Sequence, residues 1–182
     1  AYRTAADGTT NELHGDVCTP YATVIPFRAE QTFGIDDPLD RARFERRLAG
    51  ILPLTNRIWA LRIHGHFSSV TTGASRRQHP PYRPLAEVLP TYHNLTHTDT
   101  TGTLIAFHCP VYLAGVDIHY HWLSDERGQG GPVTDFRLTR TSIQACEATG
   151  FTVDLPTTPQ FRELDLTPFH PGRTNDDAAD VR

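Results

Sequence analysis

The chain has 182 residues, 38% hydrophobic and 21% charged, which is long enough for one domain with a sizeable core and is globular in composition. The net charge of −4 gives no basic footprint for nucleic acid and no polybasic patch for a membrane, and no apolar run approaches the ~18 residues of a membrane-crossing helix. All 17 basic residues are arginine, which excludes Schiff-base chemistry, pyridoxal phosphate attachment and a P-loop lysine.

In chain order, Ala1-Tyr2-Arg3-Thr4 carries no signal-peptide apolar region. The absence of methionine means that the initiator has been removed or that the chain is a fragment, which leaves open residues upstream of Ala1. The first strong element is a helix over about 38–50: Asp37 caps it, Pro38 suits its first turn, and Asp40 complements its dipole. Phe44, Leu48, Ile51 and Leu52 share one face, Gly50 closes the element and Pro53 prevents continuation. Strands follow. Trp59, Leu61 and Ile63 alternate with polar or small neighbours, and His64-Gly65-His66 reads as an exposed hairpin turn leading into Phe67-Ser68-Ser69-Val70. Pro80 to Pro90 is too proline-rich for an inner strand and reads as a crossing segment. His79, His93 and His97 read as exposed. Residues 103–109, 133–138 and 143–146 alternate as strands. The expected fold is a β-rich, mostly antiparallel α+β domain over 1–167 with one main helix, followed by a flexible polar tail over 168–182.

The three cysteines Cys18, Cys109 and Cys146 are widely spaced and odd in number, so neither a C-x-x-C metal site nor a disulfide framework is expected. Buried thiols and a cytoplasmic location fit this. Neighbours on a strand point to opposite faces, so His108 does not activate Cys109; near a strand end, His108 is a candidate general acid or base.

The most chemically pointed run is Val116-Asp117-Ile118-His119-Tyr120-His121-Trp122. As a strand it puts His119 and His121 on one face, about 7 Å apart, with Tyr120 and Trp122 behind them in the core. Such a pair can share a metal or act as acid and base. Tyr21, Phe107 and Tyr112 are candidate substrate-lining residues. Asp125-Glu126 and Arg127 read as a solvated turn.

Several short segments in one order resemble a known family: Thr19-Pro20-Tyr21-Ala22-Thr23-Val24, the run from Leu52-Pro53 to Ile63, Pro80-Pro81-Tyr82-Arg83-Pro84-Leu85, Thr101-Gly102-Thr103-Leu104, and the His119-x-His121 strand followed by Gly130-Gly131-Pro132-Val133. Together they resemble the α-acetolactate decarboxylases. The resemblance implies a β-rich fold flanking a cleft and a zinc centre held by His-x-His plus a third histidine. That third histidine falls on Pro132, which has no donor. The basic residue that the family uses to hold the substrate carboxylate falls on Gly73. The family's acidic ligand would fall before residue 1, and its C-terminal acidic catalytic residue falls near Ala178, where Asp176, Asp177 or Asp180 could substitute.

Three functions follow as expectations. The first is a repurposed, metal-independent cyclase or lyase without a cofactor, acting on a larger, less charged, polyketide-like substrate in bacterial specialised metabolism. The second is a zinc-dependent decarboxylase that forms acetoin, with zinc on His119 and His121. The third is a non-catalytic small-molecule-binding protein. The expected partner is a small molecule, with no nucleic acid and no membrane, and a homodimer is compatible with all three.

Overall fold

The computed structural model describes residues 1–15, 22–74, 79, 85–88, 91, 93–114 and 117–163. The chain divides into two compact units, Ala1–Thr149 and Gly150–Arg182. The expected tail, 168–182, lies outside the described residues.

The first unit opens with the short antiparallel pair β1 (Tyr2–Thr4) and β2 (Thr10–Glu12). Next come β3 (Gln31–Ile35), β4 (Leu39–Asp40) and α1 (Arg41–Ala49). The helix starts later than the sequence implies. Leu39 and Asp40 are held extended by pairing with Leu138 and Arg137, so Asp40, not Asp37, is the cap, and its carboxylate accepts from the Arg43 N–H at 2.8 Å. At the other end Gly50 closes the helix as expected, its N–H donating to the Arg46 and Arg47 carbonyls, and Arg46 and Arg47 lie in the last turn. Phe44, Leu48 and Leu52 are buried, whereas Ile51 is exposed, because the helix ends before it.

Long strands dominate the rest: β5 (Ile58–Ala74), β6 (His93–His108), β7 (Ile118–Ser124) and β8 (Gly130–Ala148). The segments expected over 133–138 and 143–146 are one continuous strand, β8. Between these strands lie single helical turns, α2 (Leu85–Val88) and α3 (Val111–Ala114). Apart from α2, the proline-rich stretch 80–90 lies outside the described residues.

All pairings are antiparallel. β5 pairs β6, β6 pairs β7, β7 pairs β8 and β8 pairs β5, so the four strands close a circuit. β3 and β4 add to the other side of β8. The circuit closes where β8 changes partner: Gly130 to Pro132 face β7, and from Val133 the strand runs against β5. Gly131 at φ 140 supplies the turn that this needs, and Pro132, which has no N–H to give, sits at the exchange point.

His64-Gly65-His66 is not a hairpin. It lies mid-strand in β5, between Thr101–Thr103 and Arg140–Ser142. Glycine is required there for a different reason: a Cβ on Gly65 would lie 2.1 Å from the Arg140 carbonyl oxygen and 2.7 Å from the Thr141 Cα. β8 packs straight over the bare backbone.

The core is built from the inward positions of these strands and closed by α1. Trp59, Leu61, Ile63, Leu104, Tyr120, Trp122, Leu138 and Ile143 are buried. Phe136 is the hub of the aromatics, edge-on to Phe44 at 5.5 Å, Tyr120 at 5.4 Å and Phe67 at 6.4 Å. The Tyr120 hydroxyl donates to Glu45, and Arg41, paired with Glu45 at 2.8 Å, lies over the Tyr120 ring. Burial and the Glu45 carboxylate push the Tyr120 phenol upward, so it stays protonated.

In the second unit, α4 (Pro159–Arg162) is capped by the Thr158 hydroxyl, which accepts from the Phe161 N–H. No helix among the described residues is long and apolar enough to cross a membrane.

Candidate functional site

Alternation along β7 sends Tyr120 and Trp122 inward and His119 and His121 outward. The two imidazoles converge, with Nε2 to Nε2 3.0 Å and ring centroids 4.9 Å apart. One ring donates from Nε2 and the other accepts, which requires the accepting ring to be neutral. Burial pushes both pKa values down, and for His121 the proximity of His119 adds to this.

Register then supplies the surroundings. His119 lies opposite Phe107, and His121 lies opposite Ile105 on one side and Pro132 on the other. One strand further on, Ile105 faces Arg62 and Thr103 faces His64. Register partners share a face, so Arg62, His64 and His121 all point outward from the closed circuit. They line a cavity of about 570 Å³ together with Tyr2, Asp125 and Arg127. His64 Nε2 lies 3.2 Å from the Asp125 carboxylate. Arg127 donates to the Tyr2 hydroxyl at 2.9 Å and lies over its ring. The turn expected to be merely solvated therefore contributes two side chains to the cavity wall.

The other candidates fall elsewhere. Phe107 is beside His119. His108 is on the opposite face, 5% exposed, with Nε2 donating to the Leu54 carbonyl at 2.9 Å and Nδ1 3.0 Å from Asp117 but out of line for a hydrogen bond. It is walled off from His119 and His121 by the sheet itself. Tyr112 is 72% exposed, donates to Asn56, and does not line the cavity. Tyr21 lies outside the described residues. Cys109 is buried and that burial pushes its thiol pKa up, which disfavours the thiolate. His97, expected to be exposed, is half-buried: its ring lies 5.1 Å from Trp122 and its Nε2 is 3.2 Å from the Thr72 hydroxyl. Gly73 is buried on β5 opposite Asn94.

A three-histidine zinc centre does not fit the described residues. Two imidazoles converge, the third position is proline, and no group of three or more histidine, cysteine, aspartate or glutamate side chains among the described residues could hold a metal.

The depressed pKa values make a testable statement about pH. Folded His119 and His121 take up protons less readily than in the unfolded chain, where the ordinary value is 6.5. The stability held by the neutral pair is fully present above about 6.5 and is lost as pH falls through the lower folded values. Imidazole Cε1–H titration by NMR should give midpoints below 6.5 for both rings; midpoints at or above it would remove the neutral-pair description.

Sequence reasoning missed Arg62 and His64. The signal was available, because Leu61 and Ile63 alternate inward and leave Arg62 and His64 outward, but only the register across β6 brings them to His121.

The comparisons with known proteins concern the whole of this frame. Residues 1–168 match the family model described as alpha-acetolactate decarboxylase. An alpha-acetolactate decarboxylase of Raoultella terrigena is 31% identical over 92% of the chain and 66% of its own length, and one of Bacillus subtilis is 29% identical over 91% and 66%. The chain thus spans just under two thirds of these curated relatives. The crystal structure of alpha-acetolactate decarboxylase from Bacillus subtilis strain 168 superposes with a TM-score of 0.87 at 28% identity, covering 91% of this chain and 72% of that one. A Staphylococcus aureus protein of unknown function, described as similar to alpha-acetolactate decarboxylase, gives 0.84 at 25% identity, covering 90% and 72%. With the match running from the first residue through every strand of the closed circuit, the chain belongs to the alpha-acetolactate decarboxylase family.

Proposed function

We propose that this protein is a carbon–carbon lyase of the carboxy-lyase type, acting on a small 2-hydroxy-3-oxo carboxylate of the acetolactate class. The observation that carries this reading is the neutral His119–His121 pair, whose Nε2 atoms meet at 3.0 Å with His121 on the wall of the 570 Å³ cavity. Family membership supports the same chemistry.

Loss of CO2 from such a substrate breaks the bond from the carboxylate carbon to C2. The electron pair moves into C2–C3, and the 3-oxo oxygen gains negative charge as an enediolate. The Nε2–H shared by the pair would turn from the partner ring to that oxygen, with His121, on the cavity wall, as the donor. Protonation at C2 then yields the 2-hydroxy ketone, so one proton is consumed per CO2 released and is replaced from water. Each step uses a neutral imidazole, which the lowered pKa values provide at pH 7.

A second reading is favoured by Pro132 opposite His121 and by Gly73 on β5. With proline at position 132 in place of the family's third histidine and no basic residue at position 73, the same cleft would serve a metal-independent cyclase or lyase on a larger, less charged substrate. Racemic 2-acetolactate distinguishes the two. Acetoin formed well above the blank, with or without added zinc, supports the carboxy-lyase. Acetoin at background in both conditions refutes it and leaves the cyclase or a binding role.

A further inference from the structure

We propose that Arg62 is the anion anchor of the cavity, and that it selects a small monocarboxylate whose hydroxyl or carbonyl oxygen then meets His121. This rests on the lyase reading for its substrate class, but its geometry stands independently.

Arg62, Ile105 and His121 are successive register partners on β5, β6 and β7. Their side chains share the outer face, and Arg62 and His121 are two strand spacings apart, about 10 Å between Cα atoms. A guanidinium and an imidazole reaching toward each other over that distance leave room for a carboxylate and a second oxygen separated by one to three carbons. Ile105 lies between them, 39% exposed, and offers an apolar floor for a short alkyl group.

The other basic side chains among the described residues of this wall are already engaged: His64 with Asp125, and Arg127 with Tyr2. Asp125, the one carboxylate among the described residues lining the cavity, is the one that faces His64. Arg62 has no hydrogen-bond or ion-pair partner among the described residues, while its immediate core neighbours Leu61 and Ile63 are fully buried and fix its backbone. A planar, permanently charged donor on a rigid strand, left unpaired beside an acid–base group, is suited to bidentate capture of a carboxylate.

The test uses 2-hydroxy-2-methylpropanoate, which has the carboxylate and hydroxyl but no 3-oxo group and cannot decarboxylate by this route. Its amide is the neutral control. Binding is read by calorimetry and by the shift of the His121 Cε1–H resonance. The acid should bind and move that resonance. Arg62→Gln should weaken the acid by about 10–100-fold, with Arg62→Lys intermediate and the amide indifferent to either change. Equal affinity of the acid for Arg62→Gln and the unmodified protein overturns the proposal, and so does a failure of the acid to bind the unmodified protein. Thermal melts check folding; should the glutamine variant melt early, the lysine variant carries the comparison. The acetoin assay is scored separately. Arg62-dependent binding without acetoin sinks the lyase reading and keeps the anchor. Acetoin formation with kcat/KM unchanged in Arg62→Gln keeps the lyase and sinks the anchor.

Discussion

Replacing Gly65 by alanine is expected to destabilise the protein by on the order of 4 kcal/mol or more, enough to leave little folded material at 37 °C. The added Cβ would stand 2.1 Å from the Arg140 carbonyl oxygen and 2.7 Å from the Thr141 Cα, and both obstacles are backbone. Neither can rotate away, so relief requires β8 to lift from β5, which breaks one of the two long ladders of the fold. Gly102, across the β5–β6 ladder, is also crowded, with a Cβ site 2.5 Å from the Leu123 carbonyl oxygen. Gly128→Ala is the control, because nothing lies within 4 Å of its Cβ site. Urea melts of the two variants decide the matter. A Gly65→Ala midpoint matching the unmodified protein would mean that β8 does not approach as closely as described.

The second large effect separates the two faces of β7. Trp122 is 2% exposed, stacked by His97 and facing Gly102, so Trp122→Ala should cost about 3–5 kcal/mol of stability. His121→Ala should leave the melt within about 0.5–1 kcal/mol of the unmodified protein, since His121 lies on the outer face and its partner can turn to water. On the proposed lyase reading it should instead lower turnover by about 10²–10⁴-fold, the ordinary range for loss of a positioned acid–base group. The reverse outcome, with His121→Ala unfolding and Trp122→Ala impaired only in activity, would invert the strand and dismantle the site.

How much of this was readable in the sequence depends on the range of the interaction. The facing of β7 follows from alternation alone, as do the inward Trp59, Leu61 and Ile63. The start of that helix does not. Asp37 and Asp40 are equivalent by local chemistry, and what separates them is pairing of Leu39–Asp40 with a strand nearly a hundred residues away. Gly65 shows the same limit. Glycine serves both a tight turn and a close backbone crossing, and only the arrival of β8 decides between them. His97 read as exposed because its neighbours are polar, yet Trp122, distant in sequence, covers its ring. The family resemblance reached further than periodicity because it carries long-range register with it. That register puts Pro132 directly beside His121.

The pairing scheme also has a consequence in time. β8 touches β3, β4, β5 and β7, and its last ladder residue is Ala148. During synthesis at roughly 5–20 residues per second, β5, β6 and β7 leave the ribosome with one flank of β5 unpaired and Phe67, Leu61 and Ile63 waiting for a lid that has not yet been made. The helix α1 cannot settle either, because Phe44 packs on Phe136. Productive folding is therefore deferred until nearly the whole first unit has been translated, and the rate is governed by a late, long-range strand docking of the kind that makes β-rich topologies slow. Sequence changes in β8 that touch no site residue would be felt first as lower yield of folded protein.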